Sequence, residues 1–177
     1  EELERVAKKV RDINRRNKEE TKRVEDEVRR LIKENEDTSR EVVRRNEEIL
    51  KDLERKLGGL DEVRKILKEL EEETRRLLKR SEDSNRRLEE LLRRAKKESE
   101  DTNKRLEEIL KEAERLEKRD VVREVLERLK ELVKRNLDKL KRVLDEIRRL
   151  IEENLDELRR AHEEHRRIAE DIRRKAK

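Results

Sequence analysis

The sequence predicts an all-α protein, an antiparallel up-down-up bundle of three long, nearly straight helices of about 57 residues each. The first observation is periodicity. Apolar residues recur at five inward positions with an 18-residue period, which matches the pitch of about 3.6 residues per turn of an unsupercoiled α-helix. The second is composition: the 177-residue chain is 59% charged, lacks Pro, and has only Leu, Ile, Val and Ala as apolar residues. Glu, Lys, Arg and Leu all favour helix. The third is that the apolar stripe breaks at two places, which divides the chain into three segments.

The first helix carries an apolar stripe that is wide enough for a bundle and stops at a pair of glycines. Gly58 and Gly59 are predicted to end the helix, because glycine takes the left-handed C-cap conformation at little steric cost. Asp61 is the candidate N-cap of the second helix, since its side chain can accept hydrogen bonds from the free N–H groups of the first turn.

The second helix contains the period as an actual repeat of sequence. Residues 81–92 read SEDSNRRLEELL, and residues 99–110 read SEDTNKRLEEIL. Because position 99 follows position 81 by one whole period, equivalent residues of the two segments lie on the same face of the helix.

A second break follows, because the phase of the second helix would place Glu124 and Arg128 inside, whereas the apolar residues are Val125 and Leu129. The stripe thus rotates by about 100°, one residue of helix, and Asp120 becomes the candidate N-cap of the third helix. The predicted domain, residues 1–177, is a single three-helix bundle with helices at about 2–57, 61–117 and 121–176 and turns at 58–60 and 118–120.

Uncharged polar residues interrupt the apolar stripes at heights that correspond between helices. In an antiparallel pair, residues at one height have position numbers with a constant sum, about 119 for helices one and two and 239 for helices two and three. Three layers result: Asn14, Asn17, Thr21, Ser99, Thr102, Asn103 and Asn136; then Asn35, Thr38, Ser39, Ser81, Ser84, Asn85 and Asn154; then Asn46, Thr74, His162 and His165.

These layers are interpreted as buried hydrogen-bond networks that specify helix register and pairing. A buried polar group without a partner costs about 1–3 kcal/mol, so polar core residues are expected in connected clusters. A helix that slides out of register would place an amide against Leu. The alternative is an edge position in contact with water, which applies most readily to Thr38, Ser39 and Ser84.

His162 and His165 are the candidates for a special role in the third layer. Both stand where Leu144 and Ile147 stand one period earlier, so both are predicted to face inward. Metal binding is not expected, because the zinc-peptidase motif places its two His four residues apart and two His leave a tetrahedral zinc short of ligands. Both His side chains are expected to join the hydrogen-bond network, and the alternative is a position at the edge of the core in partial contact with water. Buried neutral His should have a lowered pKa, so stability should fall below about pH 6.5.

The surface composition argues against other functions. The 55 basic and 50 acidic residues are interleaved, which predicts a solvated, ion-paired surface rather than a nucleic-acid interface. Absence of Cys excludes disulfides, and no signal peptide or run of about 20 apolar residues indicates secretion or membrane insertion. No nucleophile, acid–base pair or phosphate-binding loop is recognisable in the sequence. We therefore expect no enzyme activity, no cofactor and no small-molecule ligand.

The 18-residue repeat, the Glu/Lys/Arg surface, the Leu/Ile/Val core and the polar layers together resemble de novo designed helical bundles with buried hydrogen-bond networks. The resemblance covers the whole chain and implies a stable scaffold without evolved activity. A spectrin- or tropomyosin-like rod fits less well, since spectrin-type repeats usually carry core aromatics and this chain has none.

A structural scaffold is therefore the expected function, with a monomer favoured. The alternative is an interaction module that oligomerises or accepts a partner helix and could respond to pH through its His pair. It rests on doubled apolar positions that widen the face of the third helix, namely Leu132–Val133, Val143–Leu144 and Leu150–Ile151.

Overall fold

The computed structural model describes residues 2–115 and 119–176, except for the side chains of residues 2, 3, 6, 7, 110, 113, 114 and 119. Three helices account for nearly all of this: α1 at Glu2–Leu57, α2 at Asp61–Arg115 and α3 at Arg119–Lys175. They contain 56, 55 and 57 residues. The described residues contain no strand. The prediction of an all-α, up-down-up three-helix bundle is confirmed.

The turn between α1 and α2 differs from the prediction in its conformation. Neither Gly58 nor Gly59 has a positive φ, so the predicted left-handed cap is wrong. Instead, the N–H of Gly58 donates to the carbonyl of Glu54 over 2.8 Å, as it would inside a helix. A Cβ on Gly58 would collide with that same carbonyl oxygen, whereas Gly59 faces open space. Gly58 is therefore required by the close approach of the backbone and not by its φ.

Both predicted N-caps lie one or two residues inside their helices. The carbonyl of Leu60 accepts from the N–H of Arg64 over 3.0 Å, which makes Leu60 the N-cap of α2 and places Asp61 in the first turn. Similarly, α3 begins at Arg119, so Asp120 lies in its first turn. There both carboxylates face the positive end of the helix dipole. Helical phase does not fix helix ends to one residue, and residue 118 of the predicted second turn lies outside the described residues.

The helices contribute to two compact units, each built from a segment of all three. One comprises Glu1–Arg30 and Glu90–Ile147, and the other comprises Leu31–Glu89 and Arg148–Lys177. Each unit has its own apolar core. The core of the first contains Val10, Leu106, Leu126, Leu129 and Val133, and that of the second contains Leu50, Leu53, Val63, Leu67, Leu70 and Ala169.

Ion pairs between charged residues of one helix turn cover much of the surface. Glu41 is an example: its carboxylate accepts from Arg44 at 2.9 Å and from Arg45 at 3.2 Å, three and four residues later. The same arrangement recurs at Glu90 and Glu163. The hydrogen bond from Arg44 and the charge of both arginines hold the pKa of Glu41 below its usual value. No helix among the described residues is long and apolar enough to cross a membrane.

Candidate functional site

Polar side chains inside the two units form three hydrogen-bonded clusters, each with members from all three helices. Cluster A, in the first unit, consists of Asn17, Thr21, Ser99, Asn103 and Asn136. Cluster B, in the second unit, consists of Asn35, Ser39, Ser81, Asn85 and Asn154. Cluster C, also in the second unit, consists of Asn46, Glu73, Thr74 and His165.

Asn17 is the centre of cluster A and is completely buried. Its amide nitrogen donates to Oδ1 of Asn103 over 2.5 Å, and its own Oδ1 accepts from Nδ2 of Asn136 over 3.0 Å. The same Asn136 nitrogen donates to Oγ of Ser99 over 3.4 Å. Ser99 in turn donates to Oγ1 of Thr21 over 3.3 Å, and Thr21 donates to the backbone carbonyl of Asn17 over 2.7 Å. The cluster therefore ties α1 to both other helices.

Cluster B is a copy of cluster A, with every member one sequence period away from its counterpart. Asn35 donates to Oδ1 of Asn85 over 2.5 Å and accepts from Asn154 over 3.2 Å. Asn154 also donates to Oγ of Ser81 over 3.5 Å. One difference is that Ser39 replaces the Thr of cluster A and accepts directly from Asn154 over 3.1 Å.

Cluster C has different chemistry, because it contains an imidazole and a carboxylate. Nδ2 of Asn46 lies 2.6 Å from Oγ1 of Thr74 and 2.9 Å from Nδ1 of His165. An amide nitrogen can only donate, so Nδ1 of His165 accepts and the ring proton is on Nε2. Nε2 then donates to the carboxylate of Glu73 over 2.9 Å, and the Thr74 hydroxyl donates to the carbonyl of Leu70 over 2.8 Å.

One register relates α1 to α3 in all three clusters. The α1 residue and its α3 partner are 119 positions apart in each case, as expected for parallel helices. The bonded α1–α2 pairs have position numbers that sum to 120 in each case. The predicted sum of 119 is wrong by one residue for clusters A and B. Since one residue turns a helix by about 100°, the partner of Asn17 is Asn103 and not Thr102, and the partner of Asn35 is Asn85 and not Ser84.

Five predicted members do not join the clusters: Asn14, Thr38, Ser84, Thr102 and His162. All five are half-buried, at the edge of their stripes. Thr102 donates instead to a carbonyl of its own helix, that of Glu98, over 2.9 Å. Among the described residues, no hydrogen bond joins Thr38 or Ser84 to cluster B. Oδ1 of Asn14 and Nδ1 of His162 are buried without a hydrogen-bond partner in the described part of the chain.

His162 and His165 thus differ, although both were predicted to belong to the network. The ring of His165 is fully buried in cluster C. The half-buried His162 has a lowered pKa, because burial disfavours its charged form and the nearby charge of Arg45 adds to this, while Glu163 acts in the opposite direction.

Glu73 is the member that the sequence did not suggest, because charged residues in this chain were assigned to the surface. Its side chain is 55% exposed, and only the carboxylate reaches the buried ring of His165. Glu73 directly precedes Thr74, which the sequence places at the height of His165. That proximity is the one feature of the sequence that indicates a contact between Glu73 and His165.

The geometry defines an all-α three-helix bundle whose apolar cores are interrupted by inter-helix polar clusters. The amides and hydroxyls of clusters A and B can hold helices together but supply no acid–base group. Within the described residues, no group of three or more His, Asp or Glu side chains is placed to hold a metal ion. No protein-family model matches the chain, and no curated protein or solved structure was found to be similar to it.

Proposed function

We propose that this protein is a structural scaffold of the de novo designed type, in which clusters A, B and C specify how its helices pair. The observation that carries the proposal is the common register: each cluster joins α1 to α3 at the same separation of 119 positions. The copying of a whole cluster at the sequence period and the repeated Glu–Arg–Arg ion pairs support the designed origin.

Pairing specificity follows from what happens when the helices are misaligned. Apolar side chains pack against one another in many arrangements at small cost. An amide such as that of Asn17 loses its partners in any other arrangement, and each unpartnered buried group costs about 1–3 kcal/mol. The clusters therefore penalise wrong arrangements more than they stabilise the right one.

The test is to replace all three clusters by apolar residues that the chain itself uses at equivalent positions. Cluster C, for example, becomes Asn46→Val, Thr74→Leu and His165→Ile, after Val28, Leu92 and Ile147, each one period away in the same helix. We expect a chain that is still helical by circular dichroism but populates several arrangements, seen as multiple or broadened amide peaks and more than one species in light scattering. A monodisperse variant with sharp peaks and the parent's inter-helix distances would contradict the proposal.

A second candidate is an interaction module that binds another helix. An open cavity of about 650 Å³ between α1 and α3 of the first unit favours it. Val24, Leu137 and Leu144 line the cavity together with charged residues. The small amount of exposed apolar surface argues against this candidate, since Leu60 is the one large hydrophobic residue among the described side chains that is exposed. Analytical ultracentrifugation separates the two: a concentration-dependent dimer that Leu137→Glu abolishes would favour the module, and a monomer favours the scaffold.

A further inference from the structure

Cluster C contains the one imidazole in the three clusters, and the hydrogen bonds of that ring fit its neutral form. Nδ1 of His165 accepts from Asn46, and Nε2 donates to Glu73. Meanwhile Oδ1 of Asn46 is buried without a hydrogen-bond partner in the described part of the chain. The amide thus presents its nitrogen to the ring and leaves its oxygen unused.

A second proton on His165 would put two donors opposite one another. The new N–H at Nδ1 would point at the Asn46 amide nitrogen, which lies only 2.9 Å away. A half-turn of the amide about its Cβ–Cγ bond exchanges Oδ1 and Nδ2 and gives the ring an acceptor. Thr74 lies 2.6 Å from the same amide position, so its hydroxyl would then donate to Oδ1 instead of to the Leu70 carbonyl.

We propose that cluster C is a proton-operated hydrogen-bond switch, in which protonation of His165 turns the Asn46 amide and the Thr74 hydroxyl while the helices keep their packing. Each state leaves one side of the amide unpartnered, the oxygen when His165 is neutral and the NH₂ group when it is charged. Because each state leaves one buried amide group without a hydrogen bond, the two orientations carry similar free-energy penalties. The half-turn itself moves only the amide group. The switch does not depend on whether the clusters specify pairing.

Charged residues on all three helices lie near His165 in sequence, contact it or adjoin a residue that contacts it. From α2, the Glu73 carboxylate contacts Nε2 at 2.9 Å. On α1, Arg45 precedes Asn46. On α3, Arg166 follows His165, while His162 and Glu163 lie three and two residues before it. Because Glu73 is 55% exposed, its carboxylate brings the Nε2 side of the buried ring close to water.

The test is a pH titration of the full chain by NMR between pH 8 and pH 4.5. The ring nitrogen shifts of His165 report its protonation, and the side-chain amide protons of Asn46 report which way the amide points. We expect the contacts of these protons with His165 and Thr74 to disappear as the ring is protonated. The amides of Asn17 and Asn35, in clusters without a titratable member, are internal controls and should not change.

Three results would overturn the proposal. The Asn46 amide could keep its contacts after His165 is charged, His165 could be protonated only when the helices unfold, or it could stay neutral in the folded chain down to pH 4.5. Asn46→Asp sharpens the test, because a carboxylate offers an acceptor in either orientation. We expect this variant to hold at least tenfold more charged His165 at a given pH than the parent. Glu73→Gln should shift the ratio the other way, and His162→Leu should leave the turn of Asn46 in place.

Discussion

Replacing Asn17 by Leu should destabilise the protein even though it adds an apolar residue to the core. Leu53 occupies the equivalent position two periods later in α1 and is fully buried, so the substitution fits the stripe. It removes the bond to Asn103 and the bond from Asn136. Asn103 is half-buried and can turn to water, whereas Asn136 is 5% exposed and keeps only its 3.4 Å bond to Ser99.

The magnitude follows from these two losses. Unpartnered groups cost about 1–3 kcal/mol each, which gives roughly 2–6 kcal/mol for two groups, and burial of Leu returns about 1.5–3 kcal/mol. We therefore expect the free energy of unfolding, measured by guanidinium denaturation, to fall by about 0.5–3 kcal/mol. Replacing all of cluster A by apolar residues leaves no orphan and should restore or exceed the parent's stability.

Cluster B provides the matched control. Asn35→Leu removes the same two bonds, but Asn154 retains two others, to Ser39 and Ser81. It should therefore cost less than Asn17→Leu, by about 0.5–1 kcal/mol. The reasoning is refuted if Asn17→Leu stabilises the chain, or if replacing the whole cluster costs as much as the single substitutions added together.

Three further predictions can be checked by thermal unfolding. Gly58→Ala should cost about 1–3 kcal/mol because its Cβ collides with backbone, whereas Gly59→Ala should stabilise by about 0.4–1 kcal/mol; equal effects would contradict the account of the turn. His162 has a lowered pKa in the folded chain, so its contribution to stability is full above about pH 6.5 and is lost as the pH falls through its folded pKa. His162→Leu should therefore reduce the loss of stability between pH 7.5 and pH 5, and an unchanged slope would exclude this assignment. Leu53→Ala, at a fully buried site, should cost about 2–5 kcal/mol and Leu60→Ala less than about 0.5 kcal/mol; a large effect at Leu60 would mean that another surface covers it.

The sequence was sufficient for the fold because one physical rule decides it. In a chain of strong helix formers, the spacing of apolar residues fixes which face is buried, and Val28, Leu53 and Ile147 lie where that rule puts them, at 0–1% exposure. The rule loses precision at the edge of the stripe. His162 and His165 differ by about 60° in helical phase, which is enough to leave one ring half-buried and bring the other into a cluster.

The parts that sequence could not supply depend on the reach of side chains and the local path of the backbone. Glu73 enters cluster C because a long carboxylate can approach a buried ring from an exposed position, and periodicity carries no information on that. The helix ends depend on which carbonyl accepts the first hydrogen bond. At the start of α2, this carbonyl belongs to Leu60, whereas the preference of Asp for N-cap positions predicts Asp61.

The copying of cluster A into cluster B has a consequence for pairing that makes cluster C indispensable to the proposed function. If α2 were displaced along α1 by one period, Asn35 would stand opposite Asn103, and one Asn layer would still be satisfied. Clusters A and B alone would therefore tolerate this displacement better than any other. Asn46 breaks the equivalence, because it follows Asn35 by less than the full period that separates Asn35 from Asn17. In the displaced arrangement it would face Leu92 and lose the Thr74 hydroxyl that it contacts at 2.6 Å, with a penalty of about 1–3 kcal/mol for each unpartnered group. Clusters A and B, which are one period apart, strengthen a register, and cluster C, at a different spacing, makes that register unique.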